Sequence, residues 1–155
     1  GLRVGWVCAA MPVISQLVLM KQAADLHSAT LNQIAVASVA EQHFDSHIDT
    51  IRNAYRARRD AMLEALQAHM PDGVSWTKPE GGMFIWVTLP DTLDGADLLK
   101  QSLESERVAF VPGHAFFADG SGRNTLRLSY STSTEGKIAE GIERLGQLIT
   151  RVLNG

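Results

Sequence analysis

The sequence predicts an α/β fold, specifically an α+β small domain in which a small, largely antiparallel sheet is covered by helices. A helical N-terminal lead-in is expected before the sheet. Three observations support this prediction. Apolar residues recur with helical spacing up to Met70. Beyond the helix-stopping Pro71-Asp72-Gly73, short apolar runs alternate with turn residues, as strands do. The C-terminal stretch then returns to helical spacing, which predicts a closing helix on the sheet.

The first half of the chain predicts one strand followed by three helices, at residues 4–10, 11–27, 31–43 and 45–70. Met11-Pro12 opens the first helix, because proline is tolerated in a first helical turn. Asp45 is expected to be the N-cap of the third helix. The middle helix is alanine-rich and apolar nearly all round, so we expect it to be buried in the core or against another chain.

The second half predicts four strands, at residues 74–77, 83–89, 108–111 and 126–130. The second of these strands is apolar on both faces, so we expect it to be central in the sheet. Asp94 is expected to cap a helix that ends near Glu106. Thr132 and Glu135 have the spacing of a capping box, which predicts where the closing helix begins.

The composition is that of an ordinary globular domain. The 155 residues are 45% hydrophobic and 20% charged, and the net charge is −3. The acidic balance argues against a nucleic-acid-binding surface, and no apolar run reaches the roughly 18 residues that a membrane span needs. Cys8 is the single cysteine, which fits a cytoplasmic protein. It lies in an apolar run, so we expect it to be a small buried residue and not a nucleophile.

Several familiar kinds of site are not predicted. The glycine-rich stretches lack phosphate-loop spacing, and no nucleophile-elbow motif occurs. His43 and His47 are four residues apart, as metal ligands on one helix would be, but the expected break at Asp45 separates them and no glutamate pattern completes a zinc site. No metal is therefore expected. For His114 a surface loop is favoured over a pocket.

The arginines carry the most information. The densest basic cluster is expected to be the solvated face of a helix: Arg52, Arg56, Arg58 and Arg59. Arg3 and Arg127 instead sit in apolar, strand-like stretches, where a charge is unfavourable unless something neutralises it. Arginine's planar fork suits carboxylate and phosphate. These two residues therefore predict either two anion sites or two internal ion pairs.

The chain resembles the C-terminal part of the fold-type I pyridoxal-phosphate aminotransferases, class I/II, and within them the 2-aminoadipate-type branch. That branch also includes the aminotransferase-like domains of certain bacterial transcription regulators. Four segments carry the resemblance, in the family's order: Gly1-Leu2-Arg3-Val4-Gly5-Trp6; Pro79-Glu80-Gly81-Gly82-Met83-Phe84-Ile85-Trp86; Val108-Ala109-Phe110-Val111-Pro112-Gly113 with Phe116; and Asn124-Thr125-Leu126-Arg127-Leu128-Ser129-Tyr130.

The resemblance implies roles for both arginines. Arg3 matches the arginine that binds the phosphate of pyridoxal 5'-phosphate, and Arg127 matches the arginine that binds the substrate α-carboxylate. Thr30 and Asn32 match a loop that in the family can approach the partner subunit's active site. Residues 1–44 are expected to be the end of the cofactor-binding large domain with its connecting helices, and residues 45–155 the small domain. A homodimer, with amino acid and 2-oxo acid substrates, is implied for the full-length protein.

The family's covalent lysine lies just upstream of the segment that contains Arg3, and the four lysines of this chain stand in other contexts. We therefore expect this chain to be a piece of a longer protein, to carry no catalytic residue and to be inactive alone. Two alternatives to an aminotransferase stay open. One is the effector domain of a transcription regulator, and the other is a related lyase or decarboxylase that breaks a different bond.

Overall fold

The computed structural model describes residues 1–155 and contains four α-helices and four strands. The chain divides into two compact units, Gly1–Thr50 and Ile51–Gly155. The helices are α1 (Met11–Ala24), α2 (Thr30–His69), α3 (Gly95–Gln101) and α4 (Glu135–Asn154). The strands are β1 (Ser75–Trp76), β2 (Phe84–Thr88), β3 (Val111–Pro112) and β4 (Thr125–Ser129). None of the helices combines the length and the apolar character that crossing a membrane requires.

The four strands form one sheet in the order β1-β2-β4-β3, and every neighbouring pair is antiparallel. The predicted fold class and the central position of β2 are therefore confirmed. The register pairs Phe84 with Ser129 and Trp86 with Arg127 across β2 and β4. On the other side of β4, Val111 pairs with Arg127. Because side chains alternate along a strand, Phe84, Trp86, Val111 and Arg127 share one side of the sheet, which we term the open face.

The opposite face of the sheet is the core. Ile85 and Leu126 there are fully buried, and α4 together with the C-terminal part of α2 covers them. The apolar residues of α4 recur on one side of the helix, as expected for a helix that packs on a sheet: Ile138, Ile142, Leu145, Leu148 and Ile149. Gly146 allows close packing, because a side chain there would meet the main chain of His69.

Two helix starts test the predicted caps. Asp94 caps α3 as expected, since its carboxylate accepts hydrogen bonds from the backbone nitrogens of Ala96 and Asp97. The capping box predicted for α4 is wrong. The helix begins at Glu135, its N-cap residue Thr134 makes no side-chain capping bond, and Thr132 lies outside the helix. Glu135 is thus in the first turn, too near the N-cap to bond back to it.

Three predictions for the N-terminal unit are also wrong. Residues 4–10 form no strand, because they pair with no other segment of the chain. Asp45 does not begin a helix but lies within the continuous α2. An aspartate in a helix interior costs well under about 1 kcal/mol, which is less than the penalty for nucleating a second helix. Cys8 is exposed, since no element of this unit covers it.

The alanine-rich segment at the start of α2 is not buried in the core of this chain, so that alternative is wrong, whereas burial against another chain stays a prediction. Leu31 is 80% exposed and Ile34 is 60% exposed, and the apolar residues of α1 are similarly open. The prediction came from a composition typical of buried helices, but no other element of this unit encloses the segment.

Candidate active site

Arg127 lies on the open face of the sheet between two aromatic rings. Its guanidinium carbon is 4.0 Å from the ring centre of Phe84 and 4.6 Å from that of Phe116. Phe84 begins β2, whereas Phe116 belongs to a short 3-10 turn, Gly113–Phe116, that follows β3. Rings from two separate elements therefore hold the guanidinium by cation–π contacts, which are worth about 0.5–1 kcal/mol each at exposed sites.

Further aromatic side chains support this arrangement. Trp86, the cross-strand partner of Arg127, packs edge-on against Phe116 with 5.5 Å between ring centres. Phe117 contacts the same tryptophan at 6.0 Å. These aromatic neighbours restrict the rotamers of Arg127, although Phe84 and Phe116 themselves stay partly exposed.

No carboxylate neutralises Arg127. It makes no salt bridge, and its side chain forms no hydrogen bond with the rest of the chain. The alternative of an internal ion pair is therefore wrong for this residue. A guanidinium held in a fixed plane, with its donors unused, can bind a planar carboxylate through two parallel hydrogen bonds.

Arg3 is in the other unit and is described by itself. It is exposed, forms no ion pair and stands in a segment without regular secondary structure. Its φ angle of 56° is left-handed, which is uncommon for a residue with a side chain. The preceding carbonyl, that of Leu2, accepts a hydrogen bond of 2.9 Å from the side-chain nitrogen of Asn32. An unneutralised guanidinium of this kind fits a phosphate group.

Two residues of the predicted basic cluster are not simply solvated. Arg58 Nη1 donates to the carbonyl of Ser131 at 2.5 Å, and Arg59 Nη1 donates to the carbonyl of Pro79 at 3.3 Å. Pro79 precedes β2 and Ser131 follows β4, so both arginines bind loops near the start of β2, where Phe84 lies. The prediction of a purely solvated face is wrong for these two, because long side chains on one helix can reach neighbouring carbonyls.

The histidines add no metal centre. His43 and His47 are four apart on the uninterrupted α2, where they line a shallow depression with Val39, Ser46 and Thr50. The chain contains no group of three or more histidine, cysteine or acidic side chains that could hold a metal ion. His114 is exposed in the 3-10 turn beside Phe116.

The contacts around Arg127 were only partly accessible to sequence reasoning. Phe84 and Phe116 stood within the segments that carried the family resemblance, but nothing in the sequence assigned them to Arg127. Alternation along β2 and β4 indicates which side chains share a face, yet the register between the strands decides that Phe84 reaches Arg127. The bond from Asn32 to Leu2 joins positions thirty residues apart and has no sequence signal.

The family model for aminotransferases of class I and II matches residues 1–145. The chain belongs to this family. It is 45% identical over 153 residues to 2-aminoadipate transaminase of Thermus thermophilus, and that match covers 99% of the chain and 38% of the relative. It is 46% identical over 150 residues to aromatic-amino-acid aminotransferase 1 of Thermococcus litoralis, covering 96% of the chain and 36% of the relative. The resemblance to the 2-aminoadipate branch is thus confirmed.

The structural comparison agrees. The chain superposes on the crystal structure of LysN, the α-aminoadipate aminotransferase of Thermus thermophilus complexed with N-(5'-phosphopyridoxyl)-L-leucine, with a TM-score of 0.84 and 44% identity. That match covers 99% of the chain and 39% of LysN. A transcriptional regulator of the helix-turn-helix type from Bacillus subtilis also matches, with 32% identity over 99% of the chain and 31% of the regulator. The chain therefore spans well under half the length of these relatives.

Proposed function

We propose that the whole protein that contains this chain is a pyridoxal-phosphate-dependent aminotransferase, which moves an amino group between an amino acid and a 2-oxo acid. In this proposal Arg127 binds the substrate α-carboxylate and Arg3 binds the phosphate of the cofactor. The observation that carries it is the state of Arg127, whose guanidinium is fixed between two rings and has no carboxylate partner in the chain.

The proposed chemistry gives this chain a binding and orienting role. Pyridoxal phosphate, when bound, supplies an electron sink for bond cleavage at the α-carbon of the amino acid. Arg127 would hold the α-carboxylate through two parallel hydrogen bonds and so fix how the amino acid is oriented. Phe84 and Phe116 would keep the guanidinium plane in place, so that little side-chain entropy is lost when the carboxylate binds.

The lysines of this chain do not suggest a covalent anchor for the cofactor. Lys21 pairs with Asp25 at 2.8 Å and Lys100 pairs with Asp97 at 2.7 Å, so both take part in ion pairs on the helix surface. We infer that the anchoring lysine and the general acid–base chemistry come from the rest of the whole protein. Four further statements stay predictions. They are that residues 1–44 are the end of the large domain, that residues 45–155 are the small domain, that the whole protein is a homodimer, and that it is cytoplasmic.

Substitution of Arg127 in the whole protein tests the proposal. Arg127→Ala should raise KM for the amino acid by about 100-fold or more, because two hydrogen bonds to a charged group contribute roughly 1.5–3 kcal/mol each. Arg127→Lys should recover only a small part of this loss, since the ammonium cannot form the two-pronged contact. Steady-state kinetics with amino-acid donors and a 2-oxo acid acceptor measure both effects.

Arg123→Ala is the matched control. Arg123 lies four residues before Arg127 but is 79% exposed and pairs only with Asp94, at 3.7 Å. Its loss should leave KM unchanged. An Arg127→Ala variant with a near-normal KM would remove the basis for assigning the carboxylate to Arg127.

The match to a transcriptional regulator supports a second candidate, in which the same fold binds an effector and serves a DNA-binding domain. The two candidates differ in the segment that precedes Gly1. A winged-helix segment there, with specific DNA binding by the whole protein and no turnover of amino acids, would favour the regulator. Sustained formation of a 2-oxo acid from an amino acid favours the aminotransferase.

A further inference from the structure

The backbone at Arg3 is held in an unfavourable conformation by a single hydrogen bond. A left-handed φ at a residue with a side chain costs about 1–2 kcal/mol, so something must compensate for it. The bond from Asn32 Nδ2 to the carbonyl oxygen of Leu2 is the only hydrogen bond that residues 1–9 make. The segment that carries Arg3 is therefore tethered to α2 by one side chain.

The position of this bond matters because of backbone geometry. The Leu2 carbonyl belongs to the planar peptide that joins Leu2 to Arg3. The φ angle of Arg3 is the rotation about its N–Cα bond, and this peptide plane is one of the two groups between which that rotation is measured. A carboxamide from the first turn of α2 is therefore bonded to the peptide plane on the N-terminal side of Arg3.

Asn32 is not acting as a helix cap. A capping side chain accepts a hydrogen bond from the backbone amides of its own helix, whereas Asn32 donates to a carbonyl thirty residues away. The neighbouring Gln33 shows the local alternative, since its Nε2 donates to the Ser28 carbonyl at 2.7 Å, just before the helix. Of the two carboxamides in this turn, only Asn32 reaches the segment of Arg3.

We propose that Asn32 is a positioning residue for the cofactor-phosphate site, which acts by holding the Leu2–Arg3 peptide so that the Arg3 guanidinium meets the phosphate. This inference rests on the proposed function of Arg3. It predicts that Asn32 contributes to the binding of the phosphate group and not to that of the rest of the cofactor.

The experiment measures dissociation constants of the whole apoprotein for pyridoxal phosphate and for pyridoxal, which lacks the phosphate, by absorbance titration. The ratio of the two constants reports on phosphate recognition. Arg3→Ala should reduce the preference for pyridoxal phosphate by about 100-fold. Asn32→Ala should reduce it by about tenfold, and Asn32→Asp by more, because its carboxylate faces the Leu2 carbonyl and offers Arg3 an internal partner.

Gln33→Ala removes the same kind of bond one residue away and is expected to leave the ratio unchanged. The double variant Arg3→Ala/Asn32→Ala should lose no more preference than Arg3→Ala alone, since Asn32 is expected to act through Arg3. Thermal unfolding of each variant identifies any that fails to fold, and the isosteric Asn32→Asp provides a second measurement if Asn32→Ala does.

The outcomes separate the two levels of the proposal. If Arg3→Ala lowers the preference but Asn32→Ala behaves like Gln33→Ala, the positioning role is overturned and the assignment of Arg3 survives. Equal weakening of pyridoxal phosphate and pyridoxal by Asn32→Ala also overturns the positioning role, because that pattern indicates a general structural effect. If Arg3→Ala leaves the ratio unchanged, the proposed cofactor site itself is overturned.

Discussion

Gly113 is the residue that lets the turn carrying Phe116 lie against the sheet, and its replacement by alanine is the sharpest test of the packing. A Cβ atom at this position would lie 1.8 Å from Thr125 Oγ1 and 2.9 Å from both Thr125 Cβ and Trp86 Cζ2. Nonbonded heavy atoms prefer about 3.5–4.0 Å, so the turn or the threonine would have to move by roughly 2 Å.

The size of the effect follows from these contacts. Overpacking of a buried site typically costs about 1–3 kcal/mol. Thr125 cannot simply rotate away, because its hydroxyl donates to the Gly122 carbonyl at 2.7 Å and losing that bond costs about another 1 kcal/mol. Gly113→Ala should therefore lower the free energy of unfolding by about 3 kcal/mol, measured as a shift of the urea midpoint at constant m-value.

Gly136→Ala is the matched control, because no atom outside its own turn lies within 4 Å of an added Cβ. Because Gly136 lies in the first turn of α4, this change should be neutral or should stabilise the fold by up to about 1 kcal/mol. Removing the threonine hydroxyl should relieve the clash, so the penalty of Gly113→Ala should fall by at least about 1 kcal/mol in a Thr125→Ala background. A Gly113→Ala variant as stable as Gly136→Ala would refute the described packing of the turn.

Three further predictions concern the helix cap Asp94, the ion pair between Glu106 and Arg151, and the buried phenol of Tyr130. Asp94→Ala should destabilise the fold by about 1 kcal/mol and Asp94→Asn by much less, and equal losses in urea unfolding would contradict the capping role. The hydrogen bond from Arg151 holds the pKa of the Glu106 carboxyl below its usual range. That stabilisation is present near neutral pH and is lost as the pH falls. The difference in unfolding free energy between the unsubstituted protein and Arg151→Gln should therefore shrink below about pH 4. A difference that does not change with pH would count against the ion pair. Burial raises the pKa of the Tyr130 phenol, so the fold disfavours its ionised form. Stability should fall as the pH rises past about 10, less so in Tyr130→Phe, and superimposable alkaline unfolding curves would exclude this.

The sequence was informative where local chemistry and burial act in the same direction. The central β2 and the N-cap at Asp94 are confirmed, because a strand that is apolar on both faces and a capping carboxylate are strong local signals. The expected strand at 4–10 and the expected break at Asp45 are wrong. Strand formation depends on a pairing partner that the sequence does not specify, and one capping residue does not outweigh the continuation of a helix.

For the candidate site, too, the sequence predicted one part and the structure was needed for the rest. A lone arginine in an apolar strand was enough to single out Arg127, and the structure adds that no acid neutralises it. The contacts of Arg127 with Phe84 and Phe116 required the register of β2 on β4 and the path of the chain after β3. The tether between Asn32 and Leu2 required the approach of two segments that are far apart in sequence. Nonlocal contacts of this kind leave no periodicity to detect.

The most direct test of the assignment of the two arginines is a crystal structure of the whole protein with a reduced N-(5'-phosphopyridoxyl) amino acid. We expect two nitrogens of the Arg127 guanidinium within about 2.7–3.2 Å of the α-carboxylate oxygens, and the Arg3 guanidinium at a similar distance from the phosphate. A ligand whose carboxylate is bound by another residue, with Arg127 left in contact only with Phe84 and Phe116, would contradict the account.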